Sequence, residues 1–334
     1  MTVTHRGPEY RAGTVEGGAR DTVLFASGKK SGHGTIAWLP APSYDMQAPP
    51  PWQQPGQPTT GRPPVIALLD SGVQQHDWLP DQASSPPFWL DAAQEYGWRA
   101  PELADDPPAA GLPGENYGSH SGHATFIAGL IRVAAPGAQV LSLRVMNSAG
   151  KVRESDVAGA LTWLADHAEA GGYVDIVLMA FGRQADPADH DLDKLRAPLK
   201  RLTRHGARIV ASAGNDGAEL PVYPAAFAAE PALSVLSVGA LATPTERAPY
   251  SNSGPWVTEW GNGTSVISIM PLTTKDTGED RPVAPAGFDP FAAPATGNGY
   301  AWWSGTSFAA ATAAGLLAAQ LPGGQALPEP TAGP

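Results

Sequence analysis

The chain has 334 residues, no cysteine and a formal net charge of −11. The missing thiols exclude disulfides, thiolate metal sites and a cysteine nucleophile, and the acidic balance argues against a polyanionic partner such as nucleic acid, whose affinity rests on neutralised phosphates. Hydrophobic residues make up 42% and charged residues 16%, a globular composition long enough to bury a core, and no apolar run reaches the roughly 18 residues of a membrane span.

The opening residues, MTVTHRGPEYRAGTVEGGAR, contain no apolar stretch of the secretory-leader kind, so the sequence predicts a cytoplasmic location. Within the first 40 residues one short run, TVLFA, reads as a strand. Residues 40 to 64 hold nine prolines and almost no charge. Proline supplies no ladder donor and breaks helical turns, so this stretch reads as an extended linker or a chain laid over a surface. The predicted boundary lies near residue 61, dividing an N-terminal extension of unassigned fold (1–60) from one domain (61–334).

Beyond that point short apolar runs recur: VIALL (65–69), QVLSLRV (139–145), DIVLMAF (175–181), ARIVASA (207–213) and LSVLSVG (233–239). Their unbroken apolarity predicts strands covered on both faces. Between them, Val157, Ala160, Leu161, Leu164, Ala165 and Ala168 recur at helical spacing, and DHDLDKLRAPLKRLTRHG is a second helical candidate weakened by Pro198. Strands alternating with helices predict an α/β fold with a mostly parallel central sheet flanked by helices. In such sheets ligand-binding residues gather at the carboxyl ends of the strands. Two stretches resist this pattern. Residues 80 to 118 carry seven prolines and the acids Asp81, Asp91, Glu95, Glu102, Asp105, Asp106 and Glu115, and residues 271 to 299 are rich in Pro, Gly and Ala. Loops of this length are often lids or partner contacts.

Four positions stand at the ends of these elements. Asp70 closes VIALL ahead of Ser71-Gly72, His123 opens an apolar helical segment, Asn215 follows a buried strand inside a tight glycine turn, and Ser307 leads an Ala-rich run. Each alone has an ordinary structural role: a turn-forming Asp, a hydrogen-bonding His, an Asn tolerant of turn angles and a Ser that caps a helix. Together, in this order, they resemble the subtilase family of serine endopeptidases. ALLDSGV resembles its Asp motif, SGHATFIAGLI its His motif, ASAGNDG its oxyanion Asn motif and SGTSFAAATAAG its Ser motif, with VYPAAF, SVLSVGAL and APYSNSGPWV matching the stretches between. The resemblance covers roughly residues 65 to 320. Ala124 departs from a usual Gly, Phe126 from a common second His, Ala180 from a usual Ser, and FAAA (308–311) from a segment that usually has Met first and Pro last.

The resemblance implies a three-layer subtilisin-like fold and an endopeptidase in which Ser307 attacks, His123 shuttles the proton, Asp70 orients the imidazole, and the Asn215 amide with the Ser307 backbone N–H holds the oxyanion. It further implies that Ala180, Phe181 and Gly182 on one side, and Ser212, Ala213 and Gly214 on the other, hold an extended polypeptide substrate as an added strand. Asp216 and the acids of 80–118 suggest a preference for basic substrates. The missing leader suggests dedicated intracellular processing. No cofactor is expected, and no carboxylate cluster can be assigned as a structural calcium site. The order Asp, His, Ser and the motif G-x-S-x-A speak against an α/β-hydrolase, which needs G-x-S-x-G and the order Ser, acid, His. The remaining alternative is a catalytically inactive, peptide-binding member of the family, silenced by geometry or by occlusion from residues 1–60.

Overall fold

The computed structural model describes residues 23–26, 39–40, 62–76, 78–79, 87–103, 120, 122–147, 149–271 and 300–321. Most of the N-terminal extension with its proline-rich linker, residues 80–86 and 104–119 of the acidic stretch, and residues 272–299 lie outside the described residues. In chain order the elements are β1 (Val23–Ala26), β2 (Leu39–Pro40), β3 (Val65–Asp70), β4 (Trp89–Asp91), α1 (Ala92–Glu95), α2 (His123–Ala134), β5 (Gln139–Arg144), β6 (Lys151–Arg153) and α3 (Glu154–Glu169). They continue with β7 (Ile176–Met179), β8 (Phe181–Gln184), α4 (Asp193–Arg204), β9 (Arg208–Ser212), β10 (Val222–Tyr223), β11 (Val235–Thr243), β12 (Glu246–Arg247), β13 (Glu259–Asn262), β14 (Val266–Ile269), β15 (Tyr300–Trp303) and α5 (Thr306–Gln320).

The central sheet runs β12-β11-β9-β7-β3-β5-β4, with β13 also on β11. Every pairing in it is parallel except the β11–β12 hairpin. Because β3 is flanked by β5 and β7, the connection through α2 leads to one side of it and the connection through α3 crosses back to the other. The direction of winding therefore reverses beside β3, which is where a parallel sheet opens a crevice at its carboxyl edge.

Side-chain alternation along the strands assigns the layers. Val65, Ala67 and Leu69 of β3 join Val177, Met179, Ile209 and Ala211 in one apolar cluster, against Val157, Leu161 and Leu164 of α3 and Leu195, Leu199 and Leu202 of α4. Ile66 and Leu68 join Ile176, Leu178 and Val210 on the opposite face, under α2 and α5. Both faces are covered, which is why the strand runs are apolar without interruption. The helix α4 continues through Pro198. The donor lost there is offset by burying Leu195, Leu199 and Leu202, each worth about 1.5–3 kcal/mol. The small residues of α5 let it approach α2 closely: a Cβ on Gly315 would stand 2.6 Å from that of Ala134. At the entry to β3, Asp175 accepts from Arg62 at 2.6 and 2.9 Å and from the Val65 N–H at 2.7 Å, fixing where the domain's first strand begins.

Two smaller sheets lie beside this core. One is antiparallel, in the order β10-β8-β1-β6, and the other is β14-β15-β2. Among the described residues no helix is long and apolar enough to cross a membrane.

Candidate active site

Three adjacent strands, β9, β7 and β3, end side by side. Asp70 is the last residue of β3, Ala180 follows β7, and Ser212 ends β9 ahead of Ala213, Gly214 and Asn215. The helices α2 and α5 start over this edge, with His123 first in α2 and Ser307 second in α5.

Asp70 is fully buried. Its Oδ1 accepts from the Ser71 N–H at 2.7 Å, and its two oxygens lie 2.9 and 3.0 Å from Nδ1 of His123. With a carboxylate accepting at Nδ1, the neutral imidazole carries its hydrogen there and its lone pair on Nε2. The imidazole is walled by Trp303 at 5.2 Å, edge to face, and by Phe308 at 5.5 Å between ring centroids. Phe126, at the position of the departure noted above, fills the space behind them, 4.6 Å from Phe308 and 5.6 Å from Trp303. A second buried histidine, His120, lies 5.6 Å from His123. Burial, reinforced by the neighbouring His123, pushes the His120 imidazole down to about 3, so it packs as a neutral ring.

The second half of the site forms around Thr306. Its backbone N–H and its hydroxyl both donate to Oδ1 of Asn215, each at 2.9 Å, while its hydroxyl oxygen accepts from the Gly214 N–H at 3.1 Å. A backbone N–H can only donate, so the Asn215 amide is fixed with its oxygen toward Thr306 and its Nδ2 donor on the other side. A Cβ on Gly305 would come within a tight 3.2 Å of that Nδ2. Ser307 is buried, and its hydroxyl donates to the carbonyl of Ala180 at 3.2 Å.

Ser307 is not the helix cap that a serine at this point suggests. The N-cap is Gly305, which has no side chain to offer, and Asn215 satisfies the first helical N–H from across the sheet edge. The helix α2 is treated the same way: its N-cap is Gly122, and Ser71 Oγ accepts from the Ala124 N–H at 3.1 Å. The helices that carry His123 and Ser307 are thus both capped by residues at the ends of strands, which ties each helix start to the strand end opposite it.

The Asn215 loop has an organiser that the motifs do not single out. Asn252, fully buried, donates from Nδ2 to the Ala213 carbonyl at 2.9 Å and accepts on Oδ1 from the N–H groups of Asp216 and Ala218 at 3.0 and 2.9 Å. Gly214 sits at φ +100 against it, where a Cβ would fall 2.3 Å from Asn252 Nδ2. Thr306 and Asn252 are the residues holding the Asn215 loop that sequence reasoning did not single out; the stretch APYSNSGPWV was the only pointer to the second. The main-chain groups of Ala213 and Gly214 already have partners in Val238, Thr306 and Asn252. These residues therefore form a wall, and strand pairing takes place on the opposite side, where Phe181 and Gly182 of β8 pair with Ala26 and Phe25 of β1. Of the acids in the 80–118 stretch, Asp91 accepts from the Ala93 N–H at 2.8 Å and caps α1. Among the described residues no group of three or more His, Asp or Glu side chains could hold a metal ion.

Comparison with known proteins follows this geometry. Residues 61–323 match the model of the subtilase family of S8 peptidases. A thermophilic serine proteinase of Bacillus sp. (strain AK1) is 27% identical over 261 residues, covering 76% of this chain and 51% of that protein. The alkaline elastase YaB of Bacillus sp. (strain YaB) is 27% identical over 269 residues, covering 78% of this chain and 54% of that protein. The chain therefore spans about half the length of these relatives. Among solved structures, a lanthipeptide protease superposes with a TM-score of 0.55 at 22% identity over 77% of this chain and 73% of that one, a likeness of fold.

Proposed function

This chain belongs to the subtilase family, and from that premise we propose that it is a serine endopeptidase acting on extended polypeptides. The observation that carries the reading is the commitment of His123 Nδ1 to buried Asp70, which leaves Nε2 as the basic face of the ring beside the start of α5.

In the proposed reaction the Ser307 hydroxyl turns from the Ala180 carbonyl toward His123 Nε2. A serine hydroxyl is a weak nucleophile until a base removes its proton, so Nε2 takes the proton as Oγ attacks the scissile carbonyl carbon. Asp70 keeps the imidazole in the productive tautomer and stabilises the imidazolium. The carbonyl oxygen becomes an oxyanion held by Asn215 Nδ2 and by the Ser307 N–H, one of the helix N-terminal donors without an intrahelical carbonyl. Collapse breaks the C–N bond, and His123 returns its proton to the departing amine. Water then gives a proton to His123 as its oxygen attacks the acyl carbon, the ester C–O bond breaks, and His123 returns the proton to Ser307 Oγ as the acid product leaves.

The finer reading, that the enzyme matures particular peptides rather than degrading proteins at large, is proposed on the same footing. Two fold neighbours are a lanthipeptide protease and the prenylagaramide maturation protease PagA. The test is mass spectrometry of products from a peptide library and from casein, wild type against Ser307→Ala. Cleavage of selected peptides by wild type alone is expected. Identical product profiles for the two proteins would overturn the enzyme reading, and rapid loss of casein would overturn dedicated maturation.

A further inference from the structure

The fold places both ends of the proline-rich stretch that leads into the domain. Pro40 of β2 pairs with Ala301 of β15, just ahead of α5 and so near the carboxyl edge of the central sheet. Arg62 lies at the amino edge, bonded to Asp175 shortly before Val65 opens β3. Residues 41–61 therefore join opposite edges of the domain. An exposed row of aromatic rings starts where this stretch arrives. The Arg62 guanidinium sits 3.8 Å from the centre of the Tyr173 ring, which is 57% exposed. The preceding residue, Gly172, lies against His167, for a Cβ there would fall 2.1 Å from the imidazole Nε2. His167 in turn stacks on Trp163, with centroids 5.2 Å apart and planes 14° from parallel. Tyr96, 45% exposed, meets both rings, 5.0 Å from His167 and 5.6 Å from Trp163, and Trp98 adds a further ring 6.2 Å from Trp163. Trp163 and His167 are four residues apart on α3, so the row follows the helix axis. Because α3 leads into the parallel strand β7, that axis points back to the amino edge, and the row rises from Arg62 toward the carboxyl edge.

We propose that residues 47–61 of this chain, QAPPPWQQPGQPTTG, dock along the row formed by His167, Trp163 and Tyr96 as a polyproline II strand, fastening the N-terminal extension to α3. Contiguous apolar rings at a surface mark a contact site. An aromatic-lined surface suits proline in particular, because a polyproline II strand is preformed and loses little entropy on docking. The segment has five prolines and no charged side chain, so covering it leaves no ion without water. Pro55 and Pro58 share one edge of a helix with three residues per turn, about 9 Å apart. Pro58 is separated from Arg62 by at most about 14 Å of chain, which brings both prolines to the first rings of the row. A tethered segment acts at an effective concentration of order mM. Against an intrinsic affinity of roughly 100 μM, about ten molecules are docked for each one free.

The chain has no cysteine, so Gln57→Cys supplies a single labelling site for bimane, a fluorophore quenched by contact with tryptophan. The full chain also carries Ser307→Ala against self-cleavage and Trp52→Phe, which removes the segment's own tryptophan. Emission is expected to be low. It should rise several-fold, up to about tenfold, when Trp98→Phe and Trp163→Phe remove the quenchers. The same rise is expected when Pro55→Ser and Pro58→Ser release the segment with both tryptophans in place. Equal emission with and without the two tryptophans overturns the proposal, as does quenching that survives the proline replacements. Quenching lost on dilution also overturns it, since the rings would then hold the segment of a second copy. The proline variant alters no described element, so its result decides the matter even where the tryptophan variant fails to fold. None of these readings needs hydrolysis, so a failed endopeptidase assay leaves the docking test intact.

Discussion

The two faces of the central sheet are built differently. The face under α3 and α4 is filled with large aliphatic side chains, and its helices show water an ion-paired surface, as where Arg201 bridges Asp166 and Glu169 at 2.6 Å. The face under α2 and α5 combines aliphatic strand side chains with the alanines of α5 and the rings of Phe126, Trp303 and Phe308, and those helices are buried nearly throughout their first turns. Both faces rest on buried volume, but only the second adds fixed polar geometry at two helix starts, each capped by a strand-end side chain across the gap. The contrast separates scaffold from chemistry: substitutions on the first face should cost stability with activity per folded molecule retained, and substitutions on the second should do the reverse.

The sharpest break of that contrast is at Asn215. Asn215→Ala should lower kcat by about 10²–10³, a magnitude taken from another member of the family, with KM little changed. Losing the acceptor for the Thr306 N–H should cost about 1 kcal/mol of stability besides. Steady-state kinetics and a denaturant melt separate the two effects. On the opposite face, Leu161→Ala should cost roughly 2–5 kcal/mol from lost burial and a residual cavity, read as a lowered midpoint in urea. Its kcat, corrected for the folded fraction, should match wild type. A tenfold fall in corrected kcat there would merge the two regions into one.

A smaller effect sharpens the comparison from within the second face. The pKa of His120 is about 3 in the folded protein against 6.5 ordinarily, so between these values the unfolded chain binds the extra proton. Stability contributed by the neutral ring is complete above about pH 6.5 and is lost as pH falls toward 3, by at most about 1.4 kcal/mol per pH unit. Its neighbours Asp70 and His123 remain in place, so His120→Asn should flatten that acid limb of stability in chemical denaturation between pH 4 and 6. An unchanged slope would assign the acid sensitivity to other groups.

Much of this was legible in the sequence because it is local. Unbroken runs such as VIALL and DIVLMAF became β3 and β7, and the spacing of Val157, Leu161 and Leu164 gave the buried stripe of α3, since strand period and helix period are written in neighbouring residues. The order Asp70, His123, Asn215, Ser307 was visible as motifs at element ends. What stayed hidden depends on partners far along the chain. TVLFA reads as a strand, but nothing within it announces pairing with Lys151–Arg153 and Phe181–Gln184. Ser307 looks like a cap because serine caps helices, and only the fold reveals that Asn215, 91 positions before Thr306, has taken that role. Asn252 was hidden for the same reason: its bonds to Ala213, Asp216 and Ala218 join segments more than 30 residues apart.

The central claim is that Asp70, His123 and Ser307 work as one reactive unit at the carboxyl edge of the sheet. A fluorophosphonate, which reacts only with an activated serine, tests it most directly. Peptide mapping by mass spectrometry should place the phosphonyl group on Ser307 in the wild type, with labelling abolished in Ser307→Ala and slowed by orders of magnitude in His123→Ala. Labelling at another serine, or equal labelling rates in wild type and His123→Ala, would contradict the account.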